Sequence, residues 1–101
     1  MDLDQAAARL EALGHATRLA VYRLLVRAGG EGMAVGDIQE RLGIPLSTLS
    51  HHLRKLVLTG LVTQERRATT LICRADYAVM DQTLGFLAKE CCADAKGLSA
   101  A

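Results

Sequence analysis

The stretch VGDIQERLGIPLSTLSHHLRKL, residues 35 to 56, decides how the chain folds. Residues 35 to 42 make a short helix closed by Gly43, and after "IPL" Ser47 is a good N-cap for a second helix running to about Leu58. A short helix, a glycine turn and a second helix form the layout of a helix-turn-helix. On a wheel of about 100° per residue, Leu46, Leu49, Leu53, Leu56 and Val57 gather on one arc. Ser47, Thr48, His51, Arg54 and Lys55 fall on the opposite arc, with Ser50 at its edge. That face is small, polar and cationic, so its hydroxyls can reach phosphates or base edges, and His51 or Arg54 can donate to guanine acceptors in a major groove.

Working outward, "LVTQE" and "TTLICR" are rich in β-branched and apolar residues, and the "RRA" between them is a tight basic tip carrying Arg66 and Arg67. This hairpin makes the helix-turn-helix winged. Residues 3 to 13 are Ala- and Leu-rich at helical spacing until Gly14, and a second helix spans about Ala16 to Ala28. From Asp76, a plausible N-cap, a final helix is expected to run to about Asp94. The expected fold is mainly α with a small β-hairpin wing: one winged helix-turn-helix domain with five helices over residues 1 to 101. His15 reads as a cap or packing histidine, and His52, nearer the core than His51, as a packing or hydrogen-bonding one.

Charge supports the same surface. The net charge is +1, but residues 41 to 74 carry Arg41, Arg54, Lys55, Arg66, Arg67 and Arg74 against Glu65 alone, a block of +5 between ends of −2 each. A basic block is the footprint of a phosphate-binding surface. At 101 residues with two Tyr, one Phe and no Trp, the core is small and aliphatic, which favours burial against a second copy. No apolar run approaches the ~18 residues that cross a membrane, and "MDLDQ" lacks the blocks of a secretory signal. A cytoplasmic protein is expected. Three cysteines are too few and too clustered for a secreted disulfide framework, which directs attention to reactive or metal-binding thiols.

"LGHATRLAVYRLL", "LSTLSHHLRKLVLTGLV" and "LICRADYAVM" resemble the ArsR/SmtB family of bacterial metal-sensing repressors over nearly the whole chain. The resemblance implies a homodimer joined through its first and last helices, bound to operator DNA until an inducer arrives. The family's arsenic and cadmium site before the recognition helix is missing, because Ala34 and Gly36 stand where thiols belong. Its zinc or nickel site across the last helices is missing too, the matching positions being Tyr77, Val79, Glu90 and Ala93. "FLAKECC" is similar to members that sense trivalent arsenic through a Cys-Cys pair, although no third cysteine follows in "ADAKGLSAA".

Cys91 and Cys92 are therefore the candidate ligands, with trivalent arsenic as inducer rather than catalytic cofactor. Arsenic takes up to three sulfurs, whereas zinc prefers four ligands and is poorly served here. Adjacent cysteines point about 100° apart on a helix, so the helix end must turn to bring them together. The third position has three candidates: Cys73 of the other subunit, a solvent or exogenous thiol, or the inducer's own carbon in methylarsenite. Against this, Cys91 continues the series Met80, Leu84, Leu87 and fits a dimer interface, and Cys73, beside Ile72, fits a core. The expected function is a repressor that releases DNA on binding arsenic. The alternatives are a repressor sensing thiol oxidation or persulfide, and a protein-interaction module that touches no nucleic acid. An enzyme is not expected, since adjacent cysteines lack the two-residue spacing of redox motifs.

Overall fold

The computed structural model describes residues 1 to 96. Five helices and three short strands follow one another: α1 (Leu3–Leu13), α2 (Ala16–Ala28), a 3-10 turn (Gly29–Glu31), β1 (Met33–Ala34), α3 (Val35–Leu42), α4 (Leu46–Leu58), β2 (Val62–Arg67), β3 (Thr70–Ala75) and α5 (Tyr77–Ala88). The strands form one antiparallel sheet in the order β1-β3-β2. α3 and α4 are the helix-turn-helix, and β2 and β3 are the wing.

Local chemistry accounts for most boundaries. α1 opens on a capping box, with the Asp2 side chain accepting from Gln5 N and the Gln5 side chain accepting from Asp2 N. His15 caps α2 by accepting from Thr17 N at 3.2 Å, and Asp76 caps α5 by accepting from Val79 N at 3.1 Å. The turn between α3 and α4 pivots on Gly43, whose φ of 64° is left-handed and whose N–H bonds back to Gln39 O.

Several expectations are corrected. α4 starts before Ser47: Pro45 occupies the cap position with extended backbone and no side-chain cap bond, because its ring fixes φ at −61°. Leu46 is consequently the first helical residue and is half exposed instead of lying on the apolar arc. The wing tip is Ala68 and Thr69 rather than "RRA", with Arg67 paired to Thr70 and Ala68 at a φ of 54°. Arg66 and Arg67 thus belong to β2. Met33–Ala34 adds an unexpected third strand, where β1 pairs with Cys73 and Ile72. It can approach so closely because Gly32 has no side chain; a Cβ there would sit 2.4 Å from Cys73 O. Finally, α5 ends at Ala88, six residues short of Asp94.

The core lies between α2, α3, α4 and the inner face of the sheet. Val21, Tyr22, Leu25, Ile38, Leu49, Leu53, Leu56, Leu61, Val62 and Cys73 fill it. Fully burying each of the large aliphatic side chains is worth about 1.5–3 kcal/mol. α1 lies across α4 on polar fastenings: Arg9 Nε donates to Thr59 O at 2.9 Å, and Lys55 Nζ lies 3.6 Å from Glu11 Oε1. At the other end of the domain, Tyr77 donates to Val26 O at 3.0 Å and pins the start of α5 to the end of α2.

One buried cation completes the helical junction. Arg18 of α2 donates through Nε to Ala12 O, at the carbonyl end of α1, and through Nη2 to Glu11 O, which also accepts from Gly14 N. Its Nη1 faces His52 Nδ1 at 3.4 Å. Substituting Arg18→Leu should lower unfolding stability by about 2–4 kcal/mol, since it strands buried acceptors. Urea denaturation followed by circular dichroism measures this, and Arg18→Lys should recover only part of the loss because an ammonium cannot span the same fork.

Candidate nucleic-acid interface and thiol pair

The structure brings most of the expected DNA-reading residues onto one exposed face. Ser47, Thr48, Ser50, His51 and Arg54 are all exposed on α4, while Leu49, His52, Leu53 and Leu56 on its other side are buried. The wing stands beside this face. Gln64 and Leu71 of the wing and Ser50, His51, Arg54 and Val57 of α4 line a shared groove of about 560 Å³. Lys55 is placed differently from its neighbours: it is half-buried, turned toward α1, and its ammonium already sits beside Glu11.

The chemistry of this face is polar and cationic, with small side chains at the start of α4. Such a helix can lie in a groove of a duplex with its backbone close to the bases. No helix among the described residues is long and apolar enough to cross a membrane.

Behind the face, His52 is buried among Arg18 and two further histidines. Its ring centroid is 4.7 Å from that of His15 and 5.8 Å from that of His51. Burial, then His15, Arg18, His51 and Lys55, push its pKa below the ordinary 6.5. Since a guanidinium only donates, the Nδ1 that faces Arg18 is the unprotonated nitrogen.

The thiols divide into two environments. Cys91 and Cys92 lie beyond the end of α5 in a run of turns, both exposed, with their sulfurs 3.3 Å apart. The turning comes from the backbone: Lys89 N closes on Gly85 O, Cys91 N on Ala88 O, and both Glu90 and Cys92 have a φ of 64°. Because the helix has already ended, the divergence of adjacent helical side chains no longer applies. Cys73 is wholly buried in β3, where it accepts from Gln64 Nε2 at 3.4 Å and burial pushes its thiol pKa up. A protonated, buried thiol is a poor ligand and a poor nucleophile. The described residues contain no group of three or more His, Cys, Asp or Glu arranged to hold a metal ion.

Sequence reasoning missed the role of Arg18, which carries no signal apart from tertiary contact, and the pairing of Lys55 with Glu11. The apolar series it named on the last helix is outward-facing at Leu84 and Leu87, which are 56% and 60% exposed.

Comparison with known proteins agrees with this geometry. A helix-turn-helix domain family matches residues 13–65. The nodulation protein NolR of Rhizobium meliloti is 35% identical over 86 residues, spanning 85% of this chain and 68% of that protein. A homodimeric winged helix-turn-helix DNA-binding domain from Mycobacterium bovis, described as a possible ArsR-family transcriptional regulator, is 33% identical with a TM-score of 0.70, over 87% of this chain and 82% of that one. The transcriptional repressor BigR from Xylella fastidiosa is 30% identical with a TM-score of 0.67, over 88% of each chain.

The depressed His52 pKa fixes the sign of a pH effect. The folded state resists protonation more than the unfolded chain, so stability present above about pH 6.5 is lost as pH falls through that value toward the lowered one. The urea midpoint should drop between about pH 7.5 and about pH 5.5. In His52→Gln, which keeps an acceptor for Arg18 but cannot titrate, that drop should shrink.

Proposed function

The chain belongs to the winged helix-turn-helix transcriptional regulators of the ArsR type, and from that premise we propose that it is a homodimeric repressor which releases operator DNA when trivalent arsenic binds Cys91 and Cys92. The observation that carries the inducer assignment is the exposed sulfur pair at 3.3 Å, just beyond the last helix. Two thiolates at contact distance can chelate one thiophilic atom without moving the fold. The third position on arsenic goes to an exogenous thiol or to the carbon of methylarsenite, because Cys73 sits in the core as a protonated thiol.

α5 supports the dimer. Its sequence YAVMDQTLGFLA is mostly apolar, yet Thr83 is its one buried residue, and Leu84 and Leu87 stand exposed one turn apart. α1, which packs on α5, adds Leu3 at 72% exposure. In the proposed dimer a second copy covers these residues, and the relative from Mycobacterium bovis is described as homodimeric. Two copies then present two α4 helices to half-sites about one helical turn apart. Leu84→Asp should convert the dimer to a monomer in sedimentation velocity and weaken DNA binding strongly.

Arsenic acts next to the dimerisation helix. It shifts DNA affinity by the difference in its own affinity for the two dimer arrangements, commonly about 1–3 kcal/mol, or 5- to 150-fold. Fluorescence anisotropy of the reduced protein on the DNA upstream of its own gene, titrated with arsenite, methylarsenite and zinc, tests the reading. Release by an arsenical and not by zinc is expected, and the double variant Cys91→Ser with Cys92→Ser should stay bound. Release that survives in the double variant would sink the arsenic assignment. The same sulfur contact also favours a second reading, oxidation of the pair; release by peroxide or persulfide but not by arsenicals would select it.

A further inference from the structure

Arg66 and Arg67 are neighbours in the basic wing, yet a strand sends adjacent side chains to opposite faces. The register separates them. β2 pairs with β3 as Val62 with Ala75, Gln64 with Cys73 and Arg66 with Leu71, and Val62, Ala75 and Cys73 are all buried. Arg66 therefore stands on the face that turns toward the body, continuing the side of the wing that shares a groove with Ser50, His51 and Arg54. Arg67 belongs to the outer face, with Glu65 and Arg74.

On that outer face one carboxylate oxygen serves two cations. Glu65 Oε1 accepts from Arg74 Nη1 at 2.7 Å and lies 3.4 Å from Arg67 Nε. Arg74 is itself held from behind, its Nε donating to Gly30 O at 2.8 Å in the loop after α2. The carboxylate is consequently a fixed point on the wing rather than a free surface charge. Arg66 has no acidic partner among the described residues.

We propose that Glu65 is a positioning residue that draws Arg67 back onto the outer face of the wing and leaves Arg66 as the wing cation that joins α4 on the phosphate backbone. A phosphate approaching Arg67 has to displace an anchored carboxylate of the same charge, so the exchange gains little. A phosphate approaching Arg66 displaces only solvent and counterions. This rests on the DNA-binding reading above and divides its basic wing into a contacting and a tethered arginine.

Counterion release provides the test, because the slope of log affinity against log salt counts neutralised phosphates at about 0.9 each. The probe is a fluorescein-labelled duplex about three helical turns long, of unselected sequence, since phosphate contacts need no particular bases. Arg66→Ala should make the slope shallower by about one, while Arg67→Ala leaves it at the wild-type value. Glu65→Gln should release Arg67 and steepen the slope by about one, and adding Arg67→Ala to Glu65→Gln should abolish that gain.

An Arg67→Ala loss as large as that of Arg66→Ala would overturn the inference. So would a Glu65→Gln gain that persists without Arg67, because it would mean the carboxylate acts only through the general field of the wing. Either failure alongside wild-type binding leaves the DNA-binding reading standing. Absence of wild-type binding at every salt concentration overturns both.

Discussion

The buried guanidinium of Arg18 is the junction on which the helical part of the structure depends. It closes the carbonyl end of α1, sits within α2, and faces His52 of α4, so three helices meet at one side chain. A helix end has four carbonyls without partners inside the helix, and here the last turn of α1 contains no basic residue of its own. The missing charge is supplied from the next helix. This explains how α1 can lie across α4 with few apolar residues: Ala6 and Ala12 are its only buried positions among the described residues, and polar fastenings hold the rest.

That arrangement fixes the two outward surfaces. With Leu49, Leu53 and Leu56 anchored in the core, the rotation of α4 about its axis is set, and Ser47, Thr48, His51 and Arg54 have to face solvent beside the wing. α5 is placed by Asp76 at its start and by the Tyr77 hydroxyl on α2. Val79 and Met80 also pack against the core, while Leu84 and Leu87 face outward. One surface is cationic and concave; the other is apolar. The two surfaces are built on different elements, one on α4 with the wing and the other on α5.

Much of this was legible in the residues alone. Gly43, Asp76 and the leucine spacing of α4 each act through local backbone chemistry, and the end of α3, the start of α5 and the buried Leu49, Leu53 and Leu56 fall where the sequence places them. The errors arise where two local signals compete or where the decisive contact is distant. Ser47 is a good cap, but Pro45 two residues earlier already has the φ that a helix start needs. The two-residue β1 has no strand pattern of its own and exists because Gly32 lets it approach Cys73. α5 was read as running to about Asp94, whereas the backbone past Ala88 turns repeatedly through Glu90 and Cys92. The thiol pair could be named from adjacency, but not its contact, which follows from that turning. The wheel angle that groups Lys55 with Ser47, Thr48, His51 and Arg54 carries no sign of its ion pair with Glu11, which comes from another helix.

The different surroundings of the three thiols put them on separate clocks. No opening event stands between solvent and the sulfurs of Cys91 and Cys92, so the speed of any reaction there is set by encounter and by the fraction present as thiolate. Cys73 can react only when the sheet parts from the helices, and its rate is then scaled by the rare population of that open form. A brief exposure to a thiophile consequently marks the end of the chain while the core remains untouched. Chemical injury to the core is left to the slow timescale of opening.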